Sequence, residues 1–336
     1  MSWRGSSTAR LRRRLVFTAA LGAAGCGLGV VGSESAPPSD VDAGREGGFR
    51  DPSPPVDAPV TDAPVLCDGA PADTPDNCGS CGHDCAGGAC VAGRCAALDL
   101  LVLPPGQTVR AVAVNSTNLY FIDNMSRTIV RAELDGSTPS NIVTTSLPGS
   151  QLAVDDTYLW YTGAGLRRTS ATGTDEVLLA DNVGGCVAID PDKTRVYAAD
   201  FDGDRIVAVP YGGGLATDLL TADAGVSFPW GVAANATHMF FTTSGNDPGR
   251  ILRRPKADDG GTTTVKVAQK NPNCLAFDEA GLLYWVTHND GVIHRSKADG
   301  SDEVVLATDQ AEVTQVAIDE KFLYWGTGNK VRRLAR

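Results

Sequence analysis

Six times between Arg110 and Arg336 the chain repeats one signature: an apolar triplet centred on alanine, an Asp or Asn, then an aromatic cluster. The triplets are Val112-Ala113-Val114, Leu152-Ala153-Val154, Val187-Ala188-Ile189, Val232-Ala233-Ala234, Leu275-Ala276-Phe277 and Val316-Ala317-Ile318. The central alanines stand 40, 35, 45, 43 and 41 residues apart. A period of that length, dense in short apolar runs and turn residues, predicts the blades of an all-β, six-bladed β-propeller. It narrows function only to a class, because a propeller hosts many unrelated activities and a site must be argued from its own residues.

Each repeat reads as four short strands. In the fifth they are Asn273–Phe277, Leu282–Val286, Val292–Ser296 and Glu303–Ala307, with Asp299-Gly300 as the hairpin turn between the last two. Asp135-Gly136 and Asp259-Gly260 take the same place in repeats one and four. Strands buried on both faces read as continuous apolar runs, which the triplets are. Blades converge near the axis, so the central alanines mark the position with room only for a small side chain. The aromatics of the second strand (Tyr120-Phe121, Trp160-Tyr161, Tyr197, Phe240-Phe241, Tyr284-Trp285, Tyr324-Trp325) are expected to fill the wider space between blades. The Asp or Asn after each triplet (Asn115, Asp155, Asp190, Asn235, Asp278, Asp319) opens a turn by bonding its own backbone, a structural role. A third column, Arg131, Arg168, Ala208, Arg253, His294 and Arg333, is basic in five of six repeats and is read as structural pairing rather than an anion belt. The last repeat lacks a fourth strand. Leu98–Leu103 is a spare apolar strand ahead of repeat one that would complete it and leave no free sheet edge.

Tyr284-Trp285-Val286-Thr287 and Tyr324-Trp325-Gly326-Thr327 resemble the YWTD repeats (LDL-receptor class B) of six-bladed receptor propellers, with Tyr120-Phe121-Ile122-Asp123 a looser copy. Phe228-Pro229-Trp230-Gly231-Val232-Ala233 is similar to an NHL-type repeat, another propeller family. Both resemblances imply a scaffold for protein recognition.

Four segments precede or form this ring: 1–25, 26–66, 67–97 and 98–336. Residues 1–25 carry five arginines, no acid and the apolar run Leu15–Gly25, too short to span a bilayer and read as a signal peptide. Arg12-Arg13-Arg14-Leu15-Val16 is a weak twin-arginine candidate. The run ends Leu21-Gly22-Ala23-Ala24-Gly25-Cys26, which resembles a bacterial lipoprotein cleavage box with Cys26 as the lipidated residue, implying a membrane anchor facing the periplasm or the cell surface. Residues 26–66, rich in Pro, Asp, Ser and Gly, cannot bury a core and read as a disordered tether. Cys67, Cys78, Cys81, Cys85, Cys90 and Cys95 then fall within 29 residues. An even count in a small exported segment predicts a disulfide module, with connectivity left open. Zinc on Cys78, Cys81, His83 and Cys85 is the rival. Asp76–Cys85 resembles short Cys-Gly modules of bacterial cell-surface lipoproteins.

Without residues 1–25 the net charge falls from −11 to −16, which argues against nucleic acid as a partner. No GxSxG, HExxH or P-loop sequence occurs, and the propeller holds only His238, His288 and His294. No enzyme activity, metal or cofactor is expected, although a site assembled across blades needs no local motif. Inner-strand starts and the loops between second and third strands share one face. There Arg110, Gln151, Trp230, Asn273, Gln315 and His288 form the candidate binding face, with Trp230 as anchor. Asp200, Asp202 and Asp204 (DFDGD) read as a turn in preference to a calcium loop. Cys186 and Cys274 stand in repeats three and five, and separate thiols are expected because non-adjacent blades lie too far apart. The expected function is an exported, lipid-anchored binding or scaffold protein for an unknown protein or cell-surface ligand. The alternative is a propeller hydrolase or lyase at the channel mouth.

Overall fold

The computed structural model describes residues 66–67, 70–145, 151–244, 248–257 and 260–336. The proposed signal peptide, Cys26 and the tether, apart from Leu66, lie outside them, as does Asp259. The ring is a six-bladed β-propeller of antiparallel four-stranded sheets. Blade 1 comprises Val109–Val114, Asn118–Asp123, Thr128–Glu133 and Ser140–Thr144. In blade 5 the strands Pro272–Phe277, Leu282–Thr287, Val292–Lys297 and Val304–Ala307 fall within a residue of their sequence-derived bounds. The Asp-Gly hairpins need a backbone that glycine tolerates without strain. Gly136 and Gly300 supply it, at φ 83° and 87°.

Closure is made by the spare strand. Leu98–Val102 pairs antiparallel with Lys330–Ala335 as the outer strand of blade 6, whose other strands are Val316–Ile318 and Phe322–Thr327. Asp99 strengthens the seam, meeting Lys330 at 2.6 Å and Arg332 at 2.9 Å. The N-terminal strand thus holds the C-terminal blade, and the ring presents no open sheet edge at its junction.

The core lies between blades. Tyr120 packs towards Leu152, Leu159 and Tyr161 of blade 2, while its neighbour Phe121 faces Tyr324 and Val331 of blade 6. Alternation along the strand sends successive rings to opposite interfaces. Trp160, Trp285, Trp325, Phe240 and Phe241 are buried in the same manner. In the basic column Arg168, Arg333 and His294 are spent on neighbours. The Arg168 guanidinium lies 4.3 Å from the Tyr158 ring and donates to the Gly212 carbonyl of the next blade, and Arg333 lies 4.6 Å over Phe322. His294 stacks on Trp285 and meets Glu303 at 2.9 Å.

The Cys-rich segment is held by Cys67–Cys81, Cys78–Cys90 and Cys85–Cys95. The sulfurs of Cys78, Cys85 and Cys95 that approach within 4.8 Å of one another are therefore committed to disulfides. The module seats on blades 5 and 6. His83 Nε2 lies 3.0 Å from the Arg336 carbonyl, Arg333 reaches the Ala86 carbonyl, and Cys95 and Ala97 pack against the cluster of Tyr284, Leu323 and Leu334.

One expectation is overturned. Cys186 and Cys274 are joined by a disulfide, with Cα atoms 5.6 Å apart. The inner strands begin so close to the axis that next-but-one blades are within disulfide reach there, a convergence that sequence spacing does not express.

Candidate functional site

The channel has two mouths. The entry mouth, where the inner strands begin, is plugged. Cys186–Cys274 ties blade 3 to blade 5 past blade 4. Gln315 of blade 6 clamps blade 2 past blade 1, donating from Nε2 to the Leu152 carbonyl at 2.5 Å and accepting the Leu152 N–H at 3.2 Å. The Cys186 N–H donates to the Trp230 carbonyl at 2.7 Å, and Thr314 Oγ1 donates to the Arg110 carbonyl at 2.6 Å. Gln151 fills the throat, 0% exposed, its Oε1 3.2 Å from Cys274 Sγ. That sulfur is oxidised and carries no proton, so this is a contact and not a hydrogen bond. Gln151 Nε2 has no partner.

The candidate binding face is therefore only partly a surface. Gln151 and Asn273, 0% and 4% exposed, are parts of the plug and cannot meet a macromolecule, which corrects their assignment. Gln315 is half-buried and spent on Leu152. His288 is half-buried, with Nδ1 3.0 Å from the Val313 carbonyl. Arg110 remains half-exposed, and desolvation pulls its guanidinium below its ordinary pKa despite the charge of Glu312.

Trp230 is different. Its ring is half-buried edge-on against Phe201, centroids 5.6 Å apart, and Phe201 packs in turn on Phe228 at 5.3 Å. Phe228 is 40% exposed. The DFDGD loop builds this patch. Buried Asp200 accepts the Gly203 N–H at 3.0 Å and Arg205 Nε at 2.7 Å, fixing the turn that carries Phe201. Asp204 Oδ1 accepts the Phe228 N–H at 2.6 Å. That bond holds Phe228 at φ 45°, a left-handed conformation that costs an aromatic residue energy and persists only where its surroundings impose it. Trp230 Nε1 is buried without a partner, although tryptophan N–H groups usually find one. Trp230 and DFDGD were each visible in the sequence. Phe201 and Phe228 were missed, because only the adjacency of blades 3 and 4 brings them together.

The exit mouth, where the inner strands end, is open. A cavity of about 700 Å³ runs along the axis and is lined by all six central alanines (Ala113, Ala153, Ala188, Ala233, Ala276, Ala317) and by the residue after each. Around the rim the six Asx residues do structural work. Asp155 Oδ1 accepts N–H groups of Thr157 and Tyr158 at 2.8 and 2.9 Å, and Asn115, Asn235, Asp278 and Asp319 close their turns likewise. Asp190 keeps its carboxylate for the Tyr197 hydroxyl and Lys256. The other aspartates also take a tyrosine hydroxyl on the free oxygen: Tyr211 on Asp155, Tyr284 on Asp278 and Tyr324 on Asp319. Burial first, then these carboxylates, raise the tyrosine pKa values, Tyr211 to about 12.

No family model matches the chain. Solved structures do. A chain of the nidogen/laminin complex is 21% identical, covering 62% of this chain and 85% of its own length, with a TM-score of 0.54. A gluconolactonase from Xanthomonas campestris is 15% identical, covering 71% and 89%, at 0.57. Virginiamycin B lyase from Staphylococcus aureus is 13% identical, covering 72% and 98%, at 0.56. The shared property is the six-bladed fold. Propellers of this shape include both a component of a protein complex and enzymes, so the likeness does not choose between them. The disulfides point to an extracellular or periplasmic protein.

Proposed function

We propose that this is an exported binding or scaffold protein, anchored through a lipid on Cys26, raised on residues 26–66, and presenting the entry face of its propeller to a protein partner. The observation that carries the reading is the Phe201–Phe228–Trp230 patch: aromatic, partly exposed, and held in a strained conformation by Asp204. Rigid aromatic anchors of this kind dominate protein interfaces. The enzymatic reading requires carboxylates or imidazoles converging on the axis. Among the described residues the throat holds amides, threonines and a disulfide, while the carboxylates at the exit rim are engaged by turns, tyrosines and cations.

The test uses the full chain in an exporting bacterial host. Wild-type protein is expected in the membrane fraction and Cys26→Ala in the soluble one. A partner cross-linked to the wild type is then titrated against soluble protein. Trp230→Ala should weaken binding by about 1–2 kcal/mol with an unchanged melting curve, whereas Lys193→Ala on the opposite face should not. Loss through Lys193 but not Trp230 would move the partner to the exit face.

A further inference from the structure

The exit cavity stands apart from the aromatic patch and is built from different parts. Its walls are the inner strands, each of which pairs with a neighbour on one edge only. The other edge faces the axis, and an unpaired strand edge offers N–H and C=O groups for another chain. Between those edges stand apolar side chains, small at the six alanines and larger at Val114, Val154, Ile189, Phe277 and Ile318 towards the mouth, with the Phe277 ring packed on Phe240. The floor is closed, because the next residues inward are the Cys186–Cys274 bridge and Gln151. At about 700 Å³ the cavity lies within the roughly 300–1,000 Å³ typical of ligand sites.

The rim supplies a sign. Asp155, Asp190 and Asp278 are neutralised by Lys193, Lys256 and Arg336. Exposed Asp156, Glu279 and Glu320 have no cation within ion-pair distance among the described residues. Glu279 lines both the cavity and an adjoining hollow of about 690 Å³ that also holds Asp156 and Glu320. The adjoining hollow also holds Lys321 and Arg333, which form no ion pair with a carboxylate among the described residues.

The geometry points to a binding site for the end of a basic peptide: small apolar residues inserted between the strand edges, with Lys or Arg following at the acidic rim. A blind cavity admits a chain end and not a traversing segment. Strand edges recognise peptide backbone, alternating pockets recognise side chains, and the rim charge selects cationic over anionic sequences.

The probe is acetyl-Ala-Val-Ala-Lys-Lys-amide, with acetyl-Ala-Val-Ala-Glu-Glu-amide as the charge-reversed control, titrated calorimetrically into the full chain at low and high salt. The basic peptide is expected to bind and the acidic one to bind at least about tenfold more weakly, a difference that narrows with salt. Ala236→Trp, at an exposed rim position, should obstruct the mouth and weaken binding about tenfold or more without touching the fold. Glu279→Gln should weaken it about two- to fivefold, in the range of an exposed charge. Equal binding of the two peptides, binding indifferent to Ala236→Trp, or no binding at all would overturn the proposal. Trp230→Ala should leave this binding unchanged, so its outcome is separable from that of the partner face.

Discussion

The two ends of the channel are made by the same six strands and have opposite characters. At the entry mouth, side chains from next-but-one blades cross the axis and bond: Cys186 to Cys274, and Gln315 to Leu152. At the exit mouth the same strands end in a ring of Val, Ile, Ala and Phe around open space, and five of the six following Asx residues are turned back into their own loops, Asp190 being held by Tyr197 and Lys256. The entry end is stabilised across the axis. The exit end is stabilised around the rim, by Asp–Tyr bonds and the cations that back them. A closed mouth leaves only its outer loops for binding, which is where the aromatic patch lies; an open mouth leaves its interior.

If the exit rim depends on buried carboxylates, removing a cation from one of them should give the largest loss. The Asp278 side chain is wholly buried and meets the Arg336 guanidinium. Arg336→Ala should cost about 3–5 kcal/mol in chemical denaturation, because it leaves an uncompensated buried charge. Lys193→Ala, whose side chain is 55% exposed beside Asp155, should cost at most about 1 kcal/mol. Similar losses for the two would break the distinction between buried and solvated rim pairs.

The entry end is probed by Cys186→Ala with Cys274→Ala. The bridge closes 88 residues, and its removal should cost about 2–4 kcal/mol, read in oxidising buffer against the wild type. Intact mass should independently show eight hydrogens missing from the native chain, for four bridges. A pair of free thiols, or no loss of stability, would show that the amide clamps alone hold the plug.

Per residue, the smallest effect is alkaline. Tyr161, Tyr197, Tyr211, Tyr284 and Tyr324 all have pKa values raised above 10.0, by burial first and by Glu or Asp acceptors next. Each holds its proton more tightly folded than unfolded. Its contribution to stability is complete below pH 10 and is lost as pH rises through the raised folded value. Phenolate absorbance at pH 10.5 should therefore be well below that of the unfolded chain, and stability should fall by less than about 1 kcal/mol per tyrosine between pH 9 and 10.5. Normal titration of the folded chain would remove the Asp–Tyr bonds from the account of the rim.

The repeat of alanine triplets, turns and ring pairs was enough to give six blades, the closing strand and the structural use of the Asx residues. Those features are local, or repeat at fixed spacing, so one-dimensional pattern carries them. It also flagged Trp230 and the six clustered cysteines. The Cys186–Cys274 bridge, the burial of Gln151 and Asn273, and the union of Phe201 with Phe228 could not be read there. Each depends on how near the axis a strand begins, or on which loops of neighbouring blades meet. Those distances are set by closing the ring, when the packing of large rings between blades fixes how tightly the inner strands converge. Residues 88 apart then become bonded neighbours, and a polar face becomes the inside of a plug.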